Sequence, residues 1–257
     1  LSYWASNNMT YCLAINVNNG LVFCSDSRTN AGVDRVSTYS KMYRFGVENE
    51  RQFVVLSAGN LGTTQAVVSR LKRDIKDEAE TSLLTVESMS DAAEYLGEIN
   101  RAQQEKHADN TSGANFEASF IIGGQILGEK PRVMMVYPAG NHITTSKDTR
   151  YLQIGESKYG KPILDRILTA KTDLHTSALC ALVSMDSTMR SNLTVGPPIE
   201  LVLYEKDAFS VQHSRFDEDD EYLRELKKAW DARLVEAFVQ LPAIDWRPES
   251  PDESSEV

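Results

Sequence analysis

The chain has 257 residues, 41% of them hydrophobic, and carries 27 Lys and Arg against 37 Asp and Glu, a formal charge of −10 at pH 7. That content allows one large core or two small ones and excludes disorder over most of the length. No apolar run reaches the roughly 18 residues needed to cross a bilayer, the start lacks the layout of a secretory signal, and the acidic balance repels phosphate backbones and anionic lipid. A soluble, cytoplasmic protein with neither nucleic acid nor membrane as partner is expected, since the sequence shows no basic patch of convincing size.

Tyr11 to Val17 and Leu21 to Ser25 are short apolar runs separated by Asn18, Asn19 and Gly20, whose Asn-Gly pair is a strong hairpin signal. Met42 to Phe45 and Phe53 to Ala58 repeat the pattern around a polar turn at Glu48 to Arg51. After Gly59 the period changes. Ala66, Val67, Leu71 and Ile75 recur at helical spacing between Thr63 and Lys76, as do Met89, Ala92, Ala93, Leu96 and Ile99 between Ser88 and Lys106.

Strand patterns return at Phe116 to Ile126, Arg132 to Tyr137 and Tyr151 to Ile154. Helical stripes follow at Lys161 to Leu168 and Thr176 to Met189, then strands at Ile199 to Glu205 and Phe209 to His213. A last helix spans Asp220 to Gln240, with Leu223, Leu226, Trp230, Leu234 and Phe238 on one stripe. Runs of strands alternating with runs of helices, without regular βαβ units, predict an α+β fold in which two antiparallel sheets stack between helical layers. The expected layout is one domain over residues 10–241, preceded by a leader at 1–9 and followed by a loose acidic tail at 242–257.

Cys12, Cys24 and Cys180 are too few and too irregular for a disulfide framework or a metal site. His107, His142, His175 and His213 show no i, i+4 pairing. Buried reduced thiols, with a facing pair across the first hairpin at Cys12 and Cys24 as the alternative, and no metal or organic cofactor are therefore expected.

Thr10 starts the first strand, Asp26 ends the second and Lys41 starts the third, so a hairpin-built sheet can bring all three to one rim. A threonine hydroxyl is a weak nucleophile unless a base takes its proton, and the free α-amine of an N-terminal Thr, with an ordinary pKa of about 7.7–8.0, is such a base. A neighbouring Lys ammonium favours negative charge on the hydroxyl oxygen, and a carboxylate beside that Lys keeps it charged and oriented. Gly59, just before a helix, offers an unobstructed N–H for an oxyanion. Singly, each has an ordinary role: a β-former, a solvated ion pair, a turn glycine. Their combination is what points to chemistry.

The string MTYCLAINVNNGLVFCSDSRTNAGVDRVSTYSKMYRF from Met9, with YLQIGESKYGKPILDRIL and DSTMRSNLTVGPPIEL, resembles the proteasome-type β-subunits of the N-terminal nucleophile hydrolase superfamily, most closely their bacterial Anbu family. The resemblance covers nearly all of the chain before the tail. It implies a four-layer αββα sandwich and a threonine-type amide hydrolase or peptidase acting on a peptide or protein, with Thr10 as nucleophile, Asp26 and Lys41 beside it, and Gly59 at the oxyanion. Ser157 is the serine assigned near the amine, although strict matching of the Gly-Ser-Gly pattern puts Glu156 there. Asp186 and Ser191 are the looser matches to a late aspartate and its companion serine. Self-association into a ring or open helical oligomer is also implied, with any ATPase partner unassigned.

Residues Leu1 to Asn8 precede Met9, and while they remain Thr10 has an amide in place of an amine, so the expected activity is blocked. The leader is expected to be non-native, with an upstream translated segment and an autolysed propeptide as the other readings. Two other functions compete: a catalytically silent, self-associating scaffold, and an amidase on a small peptide-like conjugate with a pocket near Arg28, Ala31 and Val55.

Overall fold

The computed structural model describes residues 10–30, 36–106 and 115–244. The expected leader, Ala31, His107 and the tail beyond residue 244 lie outside these residues. The described residues fall into two compact units, one ending at Asp220 and one beginning at Glu221.

In the first unit, β1 (Tyr11–Val17) and β2 (Gly20–Asp26) form the expected hairpin, tightened around Asn18 and Asn19. Strand β3 (Arg28–Asn30) pairs with β4 (Val36–Thr38) in a separate two-stranded sheet. The second hairpin is β5 (Met42–Val47) and β6 (Arg51–Gly59), and its turn is made by Asn49 in the left-handed region at φ 59°. Helices α1 (Leu61–Lys76) and α2 (Met89–Glu105) follow, capped by the side chains of Asn60 and Ser88, which accept from Thr63 N at 3.0 Å and Asp91 N at 3.1 Å.

Next come β7 (Ala118–Ile126), β8 (Arg132–Val136), β9 (His142–Thr144) and β10 (Tyr151–Gly155). Helices α3 (Lys161–Ile167) and α4 (Leu174–Ser191), then β11 (Ile199–Glu205) and β12 (Gln212–Phe216), complete the unit.

The strands form two five-stranded antiparallel sheets, ordered β10-β1-β2-β11-β12 and β5-β6-β7-β8-β9. Their alternation sorts the core into layers. Cys12, Ala14, Phe23, Leu56, Ile121 and Val202 fill the space between the sheets, while Phe53, Val55, Phe120 and Ile122 turn outward onto α1 and α2. Helix α4 packs on the other sheet through β1, β2 and β11. The unit is thus the αββα sandwich that the pattern predicts.

Several details differ from expectation. The three-residue strands β3, β4 and β9 are too short to give a period in sequence. The last strand begins at Gln212 and not at Phe209, whose φ of 49° is outside the extended region and whose ring is buried. Cys12 pairs with Ser25 and Leu13 with Cys24, so the two thiols point to opposite faces of the hairpin and do not face each other. All three cysteines are free and buried.

The second unit contains α5 (Glu221–Val239). None of its residues is buried, and on its apolar stripe Leu234 and Phe238 are 53% and 73% exposed.

Candidate active site

Thr10 lies one residue before β1 and is buried, and its carbonyl accepts the Glu156 N–H at 2.7 Å. Pairing of Tyr11 with Gly155 brings the end of β10 against it. Gly155 has φ 80°, and a Cβ there would stand 2.0 Å from the Thr10 carbonyl oxygen, so only glycine allows this approach.

Asp26, the last residue of β2, is fully buried. Its Oδ1 accepts from the Lys41 Nζ at 2.8 Å and from the N–H of Tyr11, the residue after Thr10, at 3.0 Å. The Gly196 N–H donates to Oδ2 at 3.3 Å. Lys41 immediately precedes β5 in the opposite sheet and also donates to the Arg28 carbonyl at 2.7 Å. The convergence expected from strand ends is therefore present: one carboxylate oxygen ties the Lys41 cation to the main chain next to Thr10. Burial pushes the Asp26 carboxyl above the usual carboxylate range, opposed by the Lys41 charge and by the N–H donors, so its ionised form depends on these partners. Burial, followed by the Asp26 charge, also holds the Cys12 thiol well above its ordinary pKa, which excludes Cys12 as a thiolate nucleophile at neutral pH.

Gly59 ends β6 at φ 108°, directly before the α1 cap Asn60, and a Cβ there would stand 2.4 Å from the Glu117 carbonyl oxygen. Ser157 is exposed, and its side chain makes no hydrogen bond among the described residues. Its neighbour Glu156 is 4% exposed, and the Glu156 carboxylate accepts the Lys158 N–H at 3.1 Å and the Asn192 side-chain amide at 3.4 Å. Glu156 thus stands beside Thr10, in the position that strict motif matching indicated. Asp186 sits in the last turns of α4, with Arg190 Nε 4.0 Å from its Oδ2. Ser191 is the exposed last residue of that helix.

Sequence reasoning passed over Asn192, Gly196 and Glu200. Gly196 also accepts the Ser27 and Arg28 N–H groups at 3.3 and 3.2 Å, which seats the end of β2. Glu200 is a buried charge in an otherwise apolar strand, a signal that it needs partners. It has two: the Ser27 hydroxyl at 3.4 Å and His213 Nε2 at 3.1 Å. The carboxylate separates serine from histidine, so this trio gives Ser27 no imidazole base. Val55, expected to line a substrate pocket, is fully buried under the helices, while Arg28 is held by the Leu193 carbonyl at 2.9 Å.

No family model and no curated protein matches the chain. Solved structures do. Anbu (ancestral beta-subunit) from Yersinia bercovieri is 48% identical over 93% of this chain and 100% of its own, with a TM-score of 0.87. An Anbu (Gly-1) mutant from Hyphomicrobium sp. strain MC1 is 45% identical over 92% and 100%, with a TM-score of 0.86. The subunit in the helical assembly of the Anbu complex from Pseudomonas aeruginosa is 44% identical over 92% and 98%, with a TM-score of 0.88. The sandwich, the strand-end convergence and these identities together make the chain a member of the Anbu family of proteasome-type β-subunit homologues.

Proposed function

We propose that the chain is a self-assembling threonine-type amide hydrolase of the peptidase class, with Thr10 as its nucleophile once the residues before it are removed. The carrying observation is the sharing of Asp26 Oδ1 between Lys41 Nζ and the Tyr11 N–H. A surface ion pair has no need of that burial; a site that must hold a cation next to the Thr10 main chain does.

In the reaction, the freed α-amine takes the hydroxyl proton while Oγ1 attacks the amide carbonyl carbon. The Lys41 ammonium lowers the cost of the alkoxide, and the Gly59 N–H donates a hydrogen bond to the developing oxyanion. Collapse breaks the C–N bond, the amine returns its proton to the leaving nitrogen, and an ester to Thr10 remains. Water, deprotonated by the same amine, cleaves that ester to give the acid and restore the hydroxyl. Glu156 and Asn192 are positioning residues: the Glu156 main chain holds the Thr10 carbonyl, and Asn192 holds the Glu156 carboxylate. Asp186 and Ser191, in the last turns of α4, are the proposed companions at that end.

Self-association is supported by the helical assembly of the Pseudomonas relative and by the exposed apolar side chains of α5, Leu234, Val235, Phe238 and Val239. A ring or an open helix of subunits is the expected form.

Protein produced from Met9, whose removal exposes Thr10, should gain the mass of an epoxyketone or β-lactone probe at Thr10. An unmodified Thr10 despite a free amine would favour the silent scaffold.

A further inference from the structure

A second concentration of charge lies at the other end of β1. The seven residues of that strand separate it from Thr10 by about 23 Å. Here the end of β1, the β7–β8 turn, β9 with the segment after it, and the residue following β11 line an open cavity of ≈ 490 Å³. Five of its walls are cations, Lys130, Arg132, Lys147, Arg150 and Lys206, and no acidic side chain lines it. These residues are scattered over 77 positions of an acidic chain, so only folding collects them.

Most of these charges are unspent. Lys206 has Asp207 at 4.0 Å, whereas Lys130, Arg132, Lys147 and Arg150 form no ion pair among the described residues. Arg150 is the most telling. Its carbonyl accepts the Asn16 N–H at 2.7 Å, which pins its backbone to the end of β1. Its Nε is closed off from solvent yet has no hydrogen-bond partner among the described residues. The Arg150 side chain makes no hydrogen bond or ion pair among the described residues, so its guanidinium, on the wall of the cavity, is left for an acceptor that the protein itself does not supply. Asn16 also donates its side-chain amide to Thr145 Oγ1 at 3.2 Å, which leaves the Thr145 O–H to point elsewhere as a donor.

We propose that this cavity binds a small molecule bearing two or more linked phosphate groups. A planar guanidinium fork matches phosphate oxygens in pairs, and lysines supply point charges around it. The volume falls within the range of small-molecule sites, about 300–1,000 Å³, and exceeds what a single oxyanion needs. Long nucleic acid is disfavoured because the chain as a whole is net negative.

Isothermal titration of the full chain with inorganic tripolyphosphate at low ionic strength tests this. Saturable binding is expected, weakening as salt rises. The exposed pair Lys130→Gln with Lys147→Gln should weaken it about tenfold or more, and Arg150→Lys, which keeps the charge and removes the fork, should weaken it as well. Lys72→Gln on α1 should leave it unchanged. No saturable binding, or equal affinity in the Lys130/Lys147 variant with its circular dichroism intact, would overturn the proposal. Tighter binding of oligoglutamate than of tripolyphosphate would also overturn it and identify the site as a dock for an acidic peptide.

Discussion

Lys41 and Lys147 are the same residue type at opposite fates. At the Thr10 end of the sandwich, the Lys41 side chain is 10% exposed and anchored to Asp26 and the Arg28 carbonyl. At the far end, Lys147 stands exposed among other cations with no ion-pair partner among the described residues. A buried, paired cation is part of the structure, and losing either member strands a charge. An exposed one contributes little to stability and is available to a ligand. The difference teaches where substitution should report on folding and chemistry together, and where it should report on binding alone.

The largest expected effect breaks the buried pair. Asp26→Asn leaves the Lys41 ammonium without its countercharge and should cost about 3–5 kcal/mol in denaturant unfolding, along with loss of probe labelling at Thr10. A variant of unchanged stability and labelling would mean that the pair is ornamental. Next is Gly155→Ala, which forces a side chain against the Thr10 carbonyl in a left-handed backbone. Strain of about 1–3 kcal/mol is expected, and labelling should fall more than for an alanine placed on α1.

A smaller effect sharpens the chemical half of the contrast. Glu156 is joined to Thr10 through its main chain, and a carboxylate within range of the freed amine would favour the protonated amine, which is the inactive form of the base. Glu156→Gln should therefore lower the amine pKa and move the acid limb of the pH–rate profile downward by about half a unit to one unit. An unchanged acid limb would place the carboxylate out of range of the amine. The smallest effect lies at the far end: Lys147→Gln should change stability by no more than about 0.5 kcal/mol, with Thr10 labelling untouched. A large loss there would end the distinction between the two regions.

Both ends differ in how far they can be read before folding. The hairpins, α1, α2, α4 and the stacking of two sheets follow from alternation and helical spacing, both of them local signals. The meeting of Asp26 and Lys41 beside Thr10 is legible because each sits at or next to the end of a strand, and strand ends in a hairpin-built sandwich gather at one rim. The choice between Ser157 and Glu156 is less so: adjacent residues leave a strand end on different sides, and only the pairing of Tyr11 with Gly155 decides which is buried. Val55 was misread because a strand's two faces are equivalent until something covers one of them; here α1 and α2 cover the face bearing Val55.

What the order of residues determines on its own is therefore the set of elements and the chemistry carried at their termini, since periodicity, capping and turn formation act over a few positions. The tertiary structure alone decided that Gly196 closes on Asp26, that Glu200 lies between Ser27 and His213, and that five cations from Lys130 to Lys206 wall one cavity. Such meetings depend on the register of strands far apart in the chain and on the packing of one sheet against the other, and no local pattern encodes either.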